Sequence, residues 1–167
     1  MAYGNKTYIV FDGDTDISYY RTIQMWKSND DINFDFYDAH DLNTARDTSL
    51  TESIKSQLRA RFDNSNLFMI LVGENTKWNR KFIPWEIEQA LNRNLPIIVV
   101  NINGSRQKDN DRCPTALRDV LAIHIPFKAS IIQYAFENWL SSHATHKAKG
   151  DTGAYTYKDE VYKSLGI

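Results

Sequence analysis

Residues 67–72 read LFMILV, six apolar side chains in a row, and Gly73 follows them directly. An uninterrupted apolar run of this length is typical of a strand covered on both faces, because a strand with one exposed face alternates apolar and polar residues. Segments with apolar residues at helical spacing lie on either side of it in the sequence. The run therefore predicts the central strand of a parallel sheet in an α/β domain.

Four further strand-like segments and four helical segments alternate along the chain. The strands are expected at 6–11 (KTYIVF), 32–37 (INFDFY), 97–102 (IIVVNI) and 121–125, and the helices at 17–26, 50–62, 83–92 and 131–140. In the second strand Ile32, Phe34 and Phe36 alternate with polar residues, so we expect it to be half-buried near a sheet edge. Five strands in this order predict a flavodoxin-like, doubly wound and mainly parallel five-stranded sheet.

The chain is expected to form one domain over residues 1–144, followed by a C-terminal tail over residues 145–167. Its 167 residues, 42% of them hydrophobic, suit a single core. Residues 145–153 are polar and predict a loop, whereas residues 155–165 have the amphipathic pattern of a short helix.

Charge and cysteine content exclude several classes of partner. The formal net charge of −1 provides no net positive field to hold a nucleic acid. Cys113 is the only cysteine, which excludes an internal disulfide and a thiolate-rich metal site. The sequence contains neither a signal peptide nor an apolar run of about 18 residues, the length of a membrane span. We therefore expect a cytoplasmic protein with no metal, nucleic-acid or membrane partner.

Ligands of doubly wound sheets bind beyond the carboxyl ends of the strands, and three segments of this chain are expected there. They are the turn after the first strand, the loop at 38–47, and residues 73–85 with the helix that follows. The candidate ligand-binding residues in these segments are Phe11, Asp12, Gly13, Asp14, His40, Asp41, Trp78, Phe82 and Trp85.

The polar candidates each have an alternative explanation. Asp12 and Asp14 follow a strand, as do the magnesium-binding carboxylates of response-regulator receivers, but residues 72–74 (VGE) supply no phosphoacceptor aspartate. Helix capping and ligand contact both stay open for this turn. His40 and Asp41 form an acid–base pair, bind ribose hydroxyls or belong to ordinary surface.

Glu86 is the candidate functional carboxylate. Pro84 is favoured in the first turn of a helix, so Glu86 is expected in that turn and close to the strand ends. It either complements the helix dipole or points into the ligand cleft. Nearby, Trp78, Phe82 and Trp85 either pack in the core or offer stacking planes for a nicotinamide or adenine ring. The chain lacks the GxGxxG motif of dinucleotide-binding dehydrogenases, the Walker motif of nucleoside triphosphatases and the GxSxG motif of α/β-hydrolases, so these three classes are excluded.

Three stretches carry a resemblance to a known family. They are YIVFDGDTD at 8–16, FDFYD at 34–38 and, above all, ILVGENTKWNRKFIPWEIEQAL at 70–91. The last has a strand, a Gly-x-x-Thr loop and a Trp-Glu-Ile helix start. Over residues 6–140 the chain resembles the TIR-like domain proteins of bacterial anti-phage defence, of the kind that act as sensors in Thoeris systems.

The resemblance implies an enzyme that acts on NAD. Enzymatic TIR domains cleave the nicotinamide–ribose bond with one glutamate on the helix after the third strand, and Glu86 occupies that position. NAD would be the substrate, no cofactor would be needed, and the product would be a cyclic or conjugated ADP-ribose signal for a downstream effector. Phe82 stands where a tryptophan is usual, and the common serine before the tryptophan is absent; these departures concern the product more than the role of the glutamate.

The resemblance also implies assembly and leaves two alternative functions. TIR active sites are often completed by a neighbouring subunit, so homo-oligomers are expected on activation, with the loop at 38–47 as the contact. Many TIR domains only assemble, which gives a non-enzymatic interaction module as one alternative. Nucleoside 2-deoxyribosyltransferases, which have a similar fold and a glutamate nucleophile, give the other.

Overall fold

The computed structural model describes residues 6–38 and 51–167. Within them, strands and helices alternate for most of the chain, as the sequence pattern predicts. The strands are β1 (Lys6–Val10), β2 (Phe36–Asp38), β3 (Ser65–Val72), β4 (Ile97–Asn101), β5 (Ala122–Pro126) and β6 (Ala154–Tyr155). The helices are α1 (Ile17–Ser28), α2 (Glu52–Asp63), α3 (Ile83–Asn92), α4 (Ala129–Ala148) and α5 (Asp159–Ser164), with short 3₁₀ helices at Thr76–Trp78 and Thr115–Leu117.

The strands form one parallel sheet in the order β2-β1-β3-β4-β5-β6. The first five follow the 2-1-3-4-5 order of flavodoxin-like folds, so the predicted α/β class and parallel sheet are confirmed. The predicted number of five strands is wrong, because β6 pairs with β5 and places Ala154 opposite Ala122. A strand of two residues has no periodicity from which it could be predicted.

The central strand β3 is covered on both faces, as its apolar sequence predicts. Leu67, Met69 and Leu71 belong to one buried cluster, which includes residues of α1 and α4. Phe68 and Ile70 belong to a second cluster, which includes residues of α2 and α3. Helices therefore lie on both sides of the sheet, with α1 and α4 on one face and α2 and α3 on the other.

Strand β2 begins at Phe36, four residues later than the strand predicted at 32–37, and its position at the sheet edge is as predicted. Ile32 and Phe34 are each 1% exposed but lie outside the hydrogen-bonded ladder. Phe34 stacks on Phe136 of α4, with ring centroids 4.5 Å apart. The alternating pattern at Ile32 and Phe34 therefore results from burial, with Phe34 packed against a helix, and not from pairing with a neighbouring strand.

The C-terminal segment differs from the predicted tail. The loop expected from residue 145 is wrong over its first residues, because α4 continues to Ala148 and crosses the 144/145 boundary. The chain then adds β6 to the sheet, and α5 lies inside the amphipathic stretch at 155–165. Tyr162 of α5 is fully buried in the first cluster, and the Arg106 guanidinium lies 4.1 Å from its ring centroid. None of the helices in residues 6–38 and 51–167 has the length and apolar character needed to cross a bilayer.

Candidate functional site

Glu86 lies in the first turn of α3, as predicted, and Pro84 occupies one of the first two positions of the same helix. Glu86 is only 2% exposed and is one of the buried polar or charged residues of the described chain. Burial of a carboxylate is costly unless polar partners accompany it. A glutamate that only complemented the helix dipole would not need to be buried.

Tyr8 is the partner that the sequence analysis missed. Its hydroxyl donates a hydrogen bond of 2.8 Å to Oε2 of Glu86, joining β1 to the start of α3. The Tyr8 ring is fully buried and stacks on Phe62 of α2, with centroids 3.8 Å apart. In the sequence Tyr8 appears as one aromatic residue of a buried strand, and nothing in the pattern shows that its hydroxyl meets a residue 78 positions away.

The turn after β1 connects to the same helix through Asn79. Asp12 is 7% exposed, accepts a hydrogen bond of 2.7 Å from the Thr15 hydroxyl and lies 3.5 Å from the Asn79 side-chain nitrogen. The Asn79 side-chain oxygen accepts a 3.3 Å hydrogen bond from the backbone N–H of Phe82, the residue before α3. Asn79 therefore couples the end of β1 to the start of the helix that carries Glu86.

The Gly-x-x-Thr loop has a structural explanation. The Gly73 backbone N–H donates to the Thr76 hydroxyl at 2.8 Å, and that hydroxyl donates to the Leu71 carbonyl at 3.4 Å. Thr76 is fully buried, so its hydroxyl satisfies backbone groups at the end of β3 that water does not reach. The threonine fixes the path of the chain from β3 towards Asn79.

Asp16 is a second buried carboxylate at this edge of the sheet. It is 5% exposed and packs against the backbone of Gly73, where a Cβ would lie 2.8 Å from its Oδ1 and 2.9 Å from its Cγ. Its Oδ2 has no hydrogen-bond partner in the described structure. Burial, and next the Asp12 carboxylate, raise the pKa of Asp16 to about 6, whereas a hydrogen bond from Thr15 and the Arg112 guanidinium oppose the change.

Asp16 and His124 are expected to make opposing contributions to the pH dependence of stability. Burial lowers the pKa of His124 to about 4, so His124 adds stability as pH rises from 4 to 6.5. The raised pKa of Asp16 does the reverse between its unfolded value and about 6. Each contribution is on the order of 2 kcal/mol.

Urea unfolding at pH 4.5 and 6.5 measures the two contributions separately. Relative to the wild type, Asp16→Asn should make the free energy of unfolding rise more steeply with pH, and His124→Leu should make it rise less steeply. The same pH dependence in all three proteins would contradict these assignments. Asp14→Asn, which removes one exposed carboxylate, serves as the control for the substitution itself.

The other predicted ligand-binding residues are distributed around the site. Phe11 is 8% exposed and stacks on Tyr20 of α1 at 4.8 Å, so its ring packs in the first cluster. Gly13 is half-buried and Asp14 is exposed. His40 and Asp41 lie outside the described residues, as does the rest of 39–47, where contact with a second copy is expected.

The three aromatic residues near Glu86 have different environments. Trp78 is 60% exposed, with the Lys77 ammonium 4.8 Å from its ring centroid. Phe82 is half-buried one helical turn before Glu86, and its carbonyl accepts the Glu86 backbone N–H at 2.9 Å. Trp85 packs edge-on against Phe62 at 6.3 Å, so its ring contributes to the contact between α2 and α3.

The described residues were also compared with the requirements of a metal site and of a reactive thiol. Residues 6–38 and 51–167 contain no group of three or more histidine, cysteine, aspartate or glutamate side chains that could hold a metal ion. Cys113 is buried, and burial raises the pKa of its thiol, which makes the thiolate scarce at neutral pH.

Together, the sheet order and the polar residues at the carboxyl ends of β1 and β3 define a flavodoxin-like α/β domain with a buried glutamate site beside the topological switch point. Residues 8–107, more than half of the chain, match the family model described as Thoeris protein ThsB, TIR-like domain. The chain belongs to this family, which confirms the resemblance to TIR-like proteins of Thoeris anti-phage defence. The match includes Tyr8, Asp12 and Glu86 and ends before β5. No curated protein matches the chain.

Proposed function

We propose that this chain is a TIR-like NAD-processing enzyme that cleaves the nicotinamide–ribose bond and produces a cyclic or conjugated ADP-ribose signal in anti-phage defence. The observation that carries the proposal is the buried Glu86 carboxylate, held by the Tyr8 hydroxyl at 2.8 Å in a chain of the ThsB TIR-like family. Buried ionisable groups with specific polar partners are candidates for functional sites.

The role of Glu86 follows from the charge that develops in the reaction. When the bond between ribose C1′ and the nicotinamide nitrogen breaks, its electron pair goes to the nitrogen, and the ribose becomes oxocarbenium-like and positive. A fixed carboxylate next to this charge stabilises the transition state more strongly in a water-poor site than in water. The Tyr8 hydrogen bond restrains the carboxylate, which limits its reorganisation during the reaction.

A single carboxylate is sufficient for this chemistry. Nicotinamide leaves as a neutral molecule and needs no proton, whereas the alkoxide leaving groups of ordinary glycosidases require a general acid. Where water is excluded, an adenine nitrogen or a ribose hydroxyl of the same molecule can attack C1′, and the product is then cyclic. A hydroxyl that attacks transfers its proton to the Glu86 carboxylate as the new C–O bond forms.

Substrate contacts are proposed for the residues around Glu86. The turn formed by Phe11, Asp12, Gly13 and Asp14 lies at the carboxyl end of β1, where ligands of such sheets bind. His40 and Asp41 are proposed to contact ribose hydroxyls. Stacking on nicotinamide or adenine is assigned to the three aromatic residues Trp78, Phe82 and Trp85; Trp78 supports this best, since its ring is already exposed.

The same proposal includes the setting of the reaction. NAD is the substrate rather than a bound cofactor, the protein acts in the cytoplasm, and its product acts on a downstream effector. The active form is a homo-oligomer, for which light scattering under conditions of full turnover gives a direct check.

An assay with two substrates separates this proposal from its alternatives. The full chain is incubated with NAD and, separately, with a deoxynucleoside and a free base, and the products are identified by mass. Nicotinamide with an ADP-ribose product supports the proposal, and base exchange on the deoxynucleoside would identify a deoxyribosyltransferase. If the oligomeric protein changes neither substrate, the chain is an interaction module and the enzymatic proposal is wrong.

Replacing Tyr8 by Phe is expected to lower the rate of NAD cleavage about 10- to 100-fold, because a hydrogen bond to a charged group contributes roughly 1.5–3 kcal/mol. The ring and its stacking on Phe62 are kept, so the variant should fold. Nicotinamide release measures the rate, and circular dichroism checks the fold. Tyr134→Phe on α4 is the matched control and should retain the wild-type rate; equal rates for the two variants would contradict a role for the Tyr8 hydroxyl.

A further inference from the structure

A cavity of about 380 Å³ lies on the flank of α3 away from Glu86. Glu86 reaches from α3 to Tyr8 in β1, whereas the cavity opens between the start of α3 and the two 3₁₀ helices at Thr76–Trp78 and Thr115–Leu117. Its volume is at the lower end of the range for ligand pockets, which suits a compact molecule rather than a dinucleotide. The cavity is therefore distinct from the proposed site of NAD cleavage.

The walls of the cavity combine an apolar floor with positive charge. Ile83, Ile87 and Pro114 supply apolar surface, and Lys77 and Arg80 supply the two charged side chains of the lining. No carboxylate is among the lining residues in the described chain. This combination fits a ligand with one anionic group on a small apolar body.

Arg80 is the side chain available for the anion. It is exposed, and its guanidinium forms no ion pair or hydrogen bond with residues 6–38 or 51–167. Lys77 also lines the cavity, and its ammonium donates one hydrogen bond to the Asp111 carbonyl, which leaves it further donors for a ligand. A carboxylate or phosphate group can accept two parallel hydrogen bonds from an arginine, which makes Arg80 the natural primary contact.

The cavity is connected to Glu86 through Asn79. Asn79 lines the cavity, and its side-chain oxygen accepts from the Phe82 backbone N–H while its nitrogen faces Asp12. Phe82 in turn accepts the Glu86 backbone N–H. A ligand that contacts Asn79 and the first turns of α3 therefore touches the same elements that position Glu86, and it couples the two sites when it favours one arrangement of these elements over another.

We propose that this cavity is a regulatory site for a compact organic anion, with Arg80 and Lys77 binding its charged group and Ile83, Ile87 and Pro114 its apolar body. The regulatory effect rests on the proposed NAD-cleaving function, whereas binding of the anion does not. Occupation of the cavity acts on Asn79 and the start of α3 and thereby changes the rate at Glu86.

Nuclear magnetic resonance titration of the full chain tests the binding. The probes are benzoate and phenyl phosphate, which distinguish a carboxylate ligand from a phosphate ligand, with neutral benzamide and inorganic phosphate as controls. Saturable shifts at residues 77–80 and 114–116 are expected with at least one of the two organic anions below about 10 mM. Absence of saturation with both, or equal binding of benzamide or inorganic phosphate, overturns the proposal.

Two variants identify the residues responsible. Arg80→Ala should weaken binding of the anion at least about 10-fold. Lys81→Ala removes a neighbouring exposed cation that does not line the cavity, and binding should stay within about twofold of the wild type. Wild-type affinity in Arg80→Ala would show that the shifts arise elsewhere and would overturn the assignment.

The regulatory effect is measured separately, as NAD cleavage with the binding probe at saturation. A change in rate of at least about threefold is expected in the wild type and not in Arg80→Ala. Saturable binding without a change in rate would overturn the regulatory role and leave the binding site. If no NAD cleavage occurs with or without the probe, the proposed function and the regulatory role both fail, and the titration alone decides whether the cavity binds anions.

Discussion

Glu86→Gln is expected to lower the rate of nicotinamide release from NAD about 10³-fold. The substitution keeps the volume of the side chain and an oxygen that can accept from Tyr8, but it removes the negative charge that opposes the oxocarbenium-like ribose. Preorganised electrostatic groups of this kind contribute roughly 3–4 kcal/mol to transition-state stabilisation, which corresponds to that loss of rate. The measurement is nicotinamide release under conditions in which the wild type turns over.

Glu88→Gln is the matched control for this experiment. Glu88 lies two residues further along α3 and is exposed, so the same chemical change there should leave the rate within about twofold of the wild type. Both variants should have circular dichroism spectra like that of the wild type. A wild-type rate in Glu86→Gln would remove the central residue of the proposed mechanism, even if the chain still acts on NAD.

Gly73→Ala is expected to lower the free energy of unfolding by about 2–3 kcal/mol. The added Cβ would lie 2.8 Å from Oδ1 and 2.9 Å from Cγ of Asp16, closer than van der Waals contact allows. Asp16 is only 5% exposed, so its carboxylate has little free space into which it can move. Urea unfolding at pH 7 measures the loss.

The second substitution Asp16→Ala should restore most of the stability lost in Gly73→Ala. Removing the carboxylate makes room for the Cβ, and it removes a buried charged group whose Oδ2 has no partner in the described structure. The Asp16 side chain makes no cap hydrogen bond to α1, so none is lost. A coupling of about 2 kcal/mol between the two positions is expected, and strictly additive losses would show that the clash is not with Asp16.

Strands and helices with a regular pattern of apolar residues could be predicted from the sequence. The apolar run at 67–72 and the alternation of strands and helices around it led to the parallel sheet and to Glu86 in the first turn of α3. The start of strand β2 could not be predicted correctly, because the alternation of Ile32 and Phe34 with polar residues resembles that of a strand. Both side chains are buried, and Phe34 packs against Phe136 of α4. Strand β6 was missed, since its two residues pair only after α4 has brought them to the edge of β5.

The contacts that define the site could be predicted only in part. Position along the chain indicates which residues lie at the carboxyl ends of parallel strands, and Asp12 and Glu86 follow from that rule. The bond from Tyr8 to Glu86 joins residues 78 positions apart, and it depends on how α3 packs on the sheet. Asp16 could be recognised as a helix start, but its contact with Gly73 arises from the meeting of α1 with the end of β3.

The two edges of the sheet have a consequence for the behaviour of the protein in solution. In the described chain β2, with three residues, forms one edge, and β6, with two residues, forms the other. Exposed edge strands are templates on which other chains can add strands, and very short edges are one way in which natural proteins prevent this. In residues 6–38 and 51–167 the hydrophobic strands β1, β3, β4 and β5 therefore lie between two short edge strands, an arrangement that disfavours the addition of strands from other chains.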